Sequence, residues 1–232
     1  MTKLKKQKWE ESYKRKENHI FYPKEECVKF LNRYIRKKIG FKKFIDVYKK
    51  DDPYIRALDY GCGIGSNSIL MEEFGIEVHA IDISKTAIDT ARELASHAGL
   101  NDLTKRINLT KGTGLNFRDD EFDFVLCDSV LDSMHFELAK TIFKEFCRVA
   151  KKYIFISLIS GNDSNHHREY SGDEIVESIH EEGTFQSYYN YSRIEKLITG
   201  TKFRLEWGSL ISEESIVGKS VSSRYWLLFE RR

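Results

Sequence analysis

The stretch ALDYGCGIGSNS, residues 57–68, places glycine at alternate positions, Gly61, Gly63 and Gly65. The apolar run YIRALDY leads into it, and SNSILMEEFG follows as a helix stopped by Gly75. Glycine is favoured where the backbone takes a positive φ or where a ligand touches the main chain. A strand, a glycine turn and a helix in that order leave free N–H groups and a positive helix end at the turn. In an open α/β sheet, ligands sit outside the carboxyl ends of the strands. The stretch therefore predicts a ligand cradle at the end of a buried strand.

Spacing narrows the ligand. A dinucleotide site needs GxGxxG, with a pyrophosphate on the helix. Here the sixth position is Ser66, and the pattern is GxGxG. Asp82 stands 21 positions after Gly61 and closes the next strand, EVHAID. A carboxylate there can accept hydrogen bonds from both hydroxyls of a ribose. The combination favours a nucleoside without linked phosphates, and NAD binding by a non-catalytic module is the weaker reading.

Working outward, strands and helices alternate. SKTAIDTARELASHAG reads as a helix with Ser84 at its N-cap. Its apolar face is Ala87, Ile88, Ala91, Leu94, Ala95 and Ala98, and Gly99 is its stop. RINLTKG is a third strand. FDFVLCD is a fourth, apolar enough to be covered on both faces. FELAKTIFKEFCRVA is a helix and KYIFISLIS a fifth strand. This rhythm predicts a doubly wound, mostly parallel sheet. After Ser160 it breaks into a polar segment, 161–190. SRIEKLITG follows as a helix with Ser192 and Glu195 at capping-box spacing and Gly200 behind it. KFRLEWGSLI and RYWLLFER supply two closing strands. Upstream, KEECVKFLNRYIRKKI carries Cys27, Val28, Leu31, Tyr34, Ile35 and Ile39 on one face and reads as one helix ended by Gly40.

The segments LDYGCGIGSNS, VHAIDIS and KGTGLNFRDDEFDFVLCDSVLDSM together resemble the class I S-adenosylmethionine-dependent methyltransferases, in particular their small-molecule (type 11/25-like) members. The resemblance implies a Rossmann-like, seven-stranded methyltransferase fold and S-adenosyl-L-methionine as cofactor. It implies a cofactor-binding domain over 51–232 and an N-terminal helical lid over 1–50. Asp59, Gly61, Cys62, Gly63, Gly65 and Asn67 would surround the methionyl part, with Tyr13 contributed by the lid. Asp82 would hold the ribose, and Ile83 would lie on the adenine. Gly112, Thr113 and Gly114 would meet the adenine edge. Relatives carry an acid at the position of Thr113, so backbone groups would serve here. Asp128 and Ser129 would face the methionine amino group.

Methyl transfer from a sulfonium needs alignment first, and a base only where the nucleophile carries a proton. Candidate bases are Asp132 and His135 after the fourth strand, and His166 and His167 after the fifth. Tyr170, Tyr188, Tyr189 and Tyr191 in the polar segment suit a hydroxyl-rich acceptor such as a sugar. The expected partner is thus a small-molecule methyl acceptor.

The chain has 232 residues and a net charge of only +2, spread unevenly. Residues 1–50 hold seventeen Lys or Arg against six Asp or Glu, so the remainder is acidic. Such an arm can attract nucleic acid, and RNA methylation through it is the alternative reading. Neither proline, Pro23 or Pro53, forms an Asn-Pro-Pro or Pro-Cys signature of DNA methylation. Trp9, Tyr13, His19, Phe21 and Tyr22 stand among the lysines of that arm. The four cysteines, Cys27, Cys62, Cys127 and Cys147, form no CxxC pair, and no metal-ligand spacing is seen. There is no membrane-spanning run and no apolar leader, so a cytoplasmic protein with reduced thiols is expected. The oligomeric state is left open.

Overall fold

The computed structural model describes residues 3–50, 52, 54–164, 172–177 and 182–232. Helix α1 (Lys3–Lys14) opens the chain. Two units follow from the packing: Glu10–Thr110, and Met1–Trp9 together with Lys111–Arg232.

The unit Glu10–Thr110 begins with α2 (Glu25–Phe30), which widens into a π-turn over Leu31–Ile35. Strands β1 (Arg36–Gly40) and β2 (Lys43–Asp46) form an antiparallel hairpin. Then come β3 (Arg56–Tyr60), α3 (Ser66–Glu73), β4 (Glu77–Asp82), α4 (Lys85–His97), α5 (Asn101–Arg106) and β5 (Ile107–Leu109). β3 pairs with β4, and β4 with β5, all parallel. Leu58 on β3, Val78 and Ala80 on β4 and Ala87, Ile88, Ala91 and Ala95 on α4 are buried. Small alanines let α4 lie close to the sheet, and the side chain of Ser84 caps it by accepting from Ala87 N–H at 3.1 Å.

The other unit contains β6 (Phe122–Asp128), α6 (Phe136–Val149), β7 (Ala150–Ile159), β8 (Gly172–Ile175), β9 (Phe185–Tyr188), α7 (Tyr191–Ile198), β10 (Phe203–Glu214) and β11 (Val221–Arg231). β6 and β7 are parallel, and β11 runs antiparallel to both β7 and β10. β6 is buried from Phe122 to Cys127, as its near-continuous apolar run, broken only by Asp123, requires. Ile142, Phe143, Phe146 and Val149 form the buried stripe of α6, each large side chain worth about 1.5–3 kcal/mol of burial. β3, β4 and β5 in the first unit and β6, β7, β10 and β11 in the second, with their intervening helices, have the mostly parallel α/β architecture expected.

Three expectations are corrected. The helix over 24–39 stops at Ile35, and Arg36–Gly40 is a strand. Arg36 is held extended by Asp46 at 2.5 Å and by the carbonyls of Phe74 and Gly75, both at 3.0 Å. α7 is capped by Asn190, which accepts from Arg193 N–H at 2.9 Å, rather than by a Ser192–Glu195 box. The polar segment after Ser160 contains the β8–β9 hairpin, which apolar periodicity could not reveal.

Candidate functional site

In the unit Glu10–Thr110, the glycine turn is shaped as its spacing implied. Gly61, Gly63 and Gly65 have φ of 73°, 54° and 88°, a region costing other residues roughly 1–2 kcal/mol. Space is short as well. A Cβ on Gly63 would lie 2.7 Å from Tyr13 Oη, and one on Gly65 would lie 3.1 Å from Ala91 Cβ. The turn is pinned to β4, because Gly61 N–H and Cys62 N–H both donate to the Ile81 carbonyl, at 2.8 and 3.1 Å.

Two carboxylates frame this turn. Asp59, buried on β3, accepts from Ser68 Oγ at 2.5 Å. Asp82, at the end of β4, accepts from Gly63 N–H at 3.0 Å and from Ser84 N–H at 2.8 Å. Burial raises the Asp82 carboxyl, against the pull of the Ser84, Gly63 and Ile83 amides. A carboxylate offers about four lone-pair positions, so acceptor capacity remains for a ribose hydroxyl. Asn67, in the first turn of α3, has a buried side-chain oxygen with no hydrogen-bond partner among the described residues. A nucleoside bearing an amino acid fits this cradle: bare main chain, a carboxylate with spare acceptor capacity, and an unsatisfied amide oxygen. Cys62 is buried, and burial beside Asp59 and Asp82 drives its thiol well upward, so it is an inert small residue here. Ile83 follows Asp82 directly and is half-buried.

The N-terminal segment is built into the same unit. Glu10 on α1 accepts from Ser84 Oγ at 2.7 Å, Thr86 Oγ1 at 2.5 Å and Thr86 N–H at 3.3 Å. Tyr13 is buried against Gly63. The Ile20 carbonyl accepts from Ser66 Oγ at the start of α3. Tyr13 thus lies against Gly63, whereas Phe21 and Tyr22 are exposed. Glu10, Ser68 and Ser84 also contribute to this site. Only Ser84 carried a signal, through its N-cap position.

In the other unit, Gly112 and Gly114 have φ of 83° and 71° around the exposed Thr113. Asp128 Oδ1 accepts from Ser157 Oγ at 2.5 Å and from Ser129 Oγ at 2.9 Å. Ser129 has φ of 60°, a strained conformation for a non-glycine residue and one that clusters at functional sites. Asp132 is buried, and its Oδ2 accepts from Ile159 N–H at 2.8 Å and Arg224 Nη1 at 2.7 Å. It ties the turn after β6 to β7 and β11. His135, at the N-cap of α6, is half-exposed. Its Nδ1 lies 3.4 Å from Asp173 Oδ2. That carboxylate also accepts from Phe136 N–H at 3.1 Å, from Ser187 Oγ at 2.6 Å and from Arg193. Burial would raise the Asp173 carboxyl, but Ser187, Phe136, Arg193 and His135 together hold it below its ordinary value. Asp173, Ser157 and Arg224 had no sequence signal. Tyr188 and Tyr189 are core residues, the latter's hydroxyl donating to the Leu131 carbonyl at 3.4 Å, so they do not line a polar pocket. His166, His167 and Tyr170 lie outside the described residues.

A parallel α/β fold with a GxGxG cradle and an acid ending the next strand defines a nucleoside-cofactor enzyme class. A family model described as a methyltransferase domain matches residues 51–207. The chain belongs to that family, and with it to the class I S-adenosylmethionine-dependent methyltransferases. It is similar to a solved S-adenosylmethionine-dependent methyltransferase of Methanosarcina mazei, with TM-score 0.63 and 22% identity over 78% of this chain and 93% of that one. It is also similar in fold to magnesium protoporphyrin IX methyltransferase of Synechocystis with bound S-adenosylmethionine. There the TM-score is 0.55 and the identity 19%, over 78% of this chain and 71% of that one. Among curated relatives, the ribosomal protein L11 methyltransferase of Campylobacter jejuni is 35% identical over 32% of this chain and 21% of its own. The 2-methyl-6-phytyl-1,4-hydroquinone methyltransferase of Synechocystis is 35% identical over 43% of this chain and 30% of its own. The match therefore spans less than a third of either curated relative's length. Among the described residues, no helix is long and apolar enough to cross a membrane.

Proposed function

We propose that this protein methylates a hydroxyl group of a small molecule, with His135 as the base that takes up the hydroxyl proton. The observation that carries this reading is the pair His135–Asp173. Asp173 is fixed by an amide, a hydroxyl and a guanidinium, and so stays ionised at neutral pH. It orients the imidazole through Nδ1, while Nε2 has no hydrogen-bond partner among the described residues. An imidazole so oriented presents its basic nitrogen outward. It stands at the turn after β6, the edge of the sheet where ligands of such folds gather.

S-adenosylmethionine, when bound, supplies an already activated methyl group. Asp59, the glycine turn, Asn67 and Asp82 would hold it. The remaining work is alignment of the acceptor, worth up to roughly 7–11 kcal/mol, and removal of one proton, worth about 10²–10⁴-fold. The N-terminal segment acts as a cover, with Glu10 and Tyr13 holding it over the cradle. Names among the relatives support a small acceptor only in part, since one specifies a hydroquinone and another a ribosomal protein.

The test is a screen of acceptors by S-adenosylhomocysteine release, running from sugars and phenols through amines to total RNA. The expected hit bears a hydroxyl, and His135→Gln lowers kcat by about 10²-fold with little change in KM. An amine or RNA hit, or an unaltered kcat in His135→Gln, would refute the assignment.

A further inference from the structure

We infer that the β1–β2 hairpin is a docking surface for an anionic lipid bilayer. Its two faces differ sharply. Arg36, Lys38 and Phe44 face the protein, where Phe44 packs on Phe74 with ring centroids 5.7 Å apart and Lys38 Nζ lies 5.5 Å from the Phe74 ring. Lys37 and Ile39 alternate outward on β1, and Ile45 stands opposite Lys37 on β2. The outward apolar groups are far from buried: Ile39 is 53% exposed, Ile45 51%, Val47 41%, and Phe41, at the tip of the turn, 98%. Four apolar side chains left in water on one short hairpin call for an occupant.

Charge complementarity says which occupant. Between Arg36 and Lys50 there are seven Lys or Arg and one acid, Asp46. Asp46 is already spent on Arg36. Lys37, Lys42, Lys43 and Lys49 are exposed, and their side chains make no ion pair or hydrogen bond with any described residue. An anionic bilayer answers both features, because its headgroups take lysines and its outer hydrocarbon takes isoleucine and phenylalanine alike. Nucleic acid answers only the first. Single strands are gripped by stacking bases on aromatic rings, and this face offers one ring among three aliphatic side chains. A second copy fits worse, since a two-fold contact would set the same cations against each other. The lysines along this hairpin also oppose edge-to-edge strand pairing.

The experiment is co-sedimentation of the full chain with phosphatidylcholine vesicles, with and without phosphatidylglycerol. The expected result is binding only to the anionic vesicles, falling steeply with salt. Lys42→Glu combined with Lys43→Glu should lower the partition coefficient by at least about thirtyfold, at about 1 kcal/mol per lysine near such a surface. Phe41→Ser should lower it by roughly tenfold. Unchanged S-adenosylhomocysteine binding in the variants shows that they remain folded. Equal sedimentation with both vesicle types would overturn the proposal. So would binding insensitive to these substitutions, tighter binding to single-stranded RNA, or a dimer that the Phe41 variant dissolves.

Discussion

At the scale of single residues, the cradle is defined by what cannot be added to it. Gly63 is restricted twice, by a φ of 54° and by Tyr13 Oη at 2.7 Å from any Cβ. Gly63→Ala must strain the turn or displace Tyr13. The expected outcome is S-adenosylhomocysteine affinity reduced by at least about tenfold, since the left-handed penalty alone is roughly 1–2 kcal/mol; titration calorimetry measures it. Ser68 plays a different part, giving the buried Asp59 carboxylate a hydrogen bond at 2.5 Å. Ser68→Ala withdraws that donor, at about 1–3 kcal/mol. In a chain of 232 residues each kcal/mol lowers Tm by about 2–4 °C, which a thermal melt resolves. The glycines were legible in the sequence because backbone requirements restrict residue type locally. The partners of Asp132 and His135 were not, because Arg224 and Asp173 lie far along the chain and any arginine or aspartate looks alike in a polar segment.

At the scale of elements, α1 is fastened to the start of α4 by one carboxylate. Burial would raise the Glu10 carboxyl, but hydrogen bonds from Thr86 and Ser84 outweigh it and hold the group below its ordinary 4.5. A depressed folded value means that Glu10 stabilises the attachment above its unfolded value. That contribution is lost as pH falls through the folded one. Protection of residues 3–14 against hydrogen exchange should therefore decline as pH drops below about 4.5. In Glu10→Gln it should already be reduced at neutral pH and lack that dependence. Protection equal in both proteins at neutral pH would show that Glu10 holds nothing. Elements with strict periodicity, such as α4, α6 and β6, were readable in advance because one buried face fixes their pattern. The end of the helix at Ile35 was not. Ile39 extends the apolar stripe by spacing alone, and the tethers that hold Arg36 extended, Phe74 and Gly75, lie almost forty residues on.

For the whole molecule, the four cysteines report on how the chain treats its thiols. Cys27, Cys62 and Cys127 are buried, and none of the four is in a disulfide. Burial raises the Cys147 thiol to about 12 and Cys62 well above its ordinary value. A thiolate-seeking reagent needs both access and ionisation. Near pH 8 the native protein should react slowly at all four, and the unfolded protein should titrate four thiols at once. Rapid native labelling at Cys62 would mean that the glycine turn opens readily. The fold class could be read from the alternation of strands and helices. Acceptor chemistry could not, because it depends on which polar side chains converge after β6 and β7.

The central claim is that the turn from Asp59 to Asp82 is a cradle for S-adenosylmethionine. Calorimetry with S-adenosylhomocysteine, comparing the native chain with Asp82→Ala, tests it most directly. The expected result is one site per chain in the native protein, no heat with NAD, and affinity in Asp82→Ala reduced by at least about tenfold, as loss of a charge-assisted ribose hydrogen bond requires. Absence of binding to the native protein, or equal affinity in both, would contradict the account.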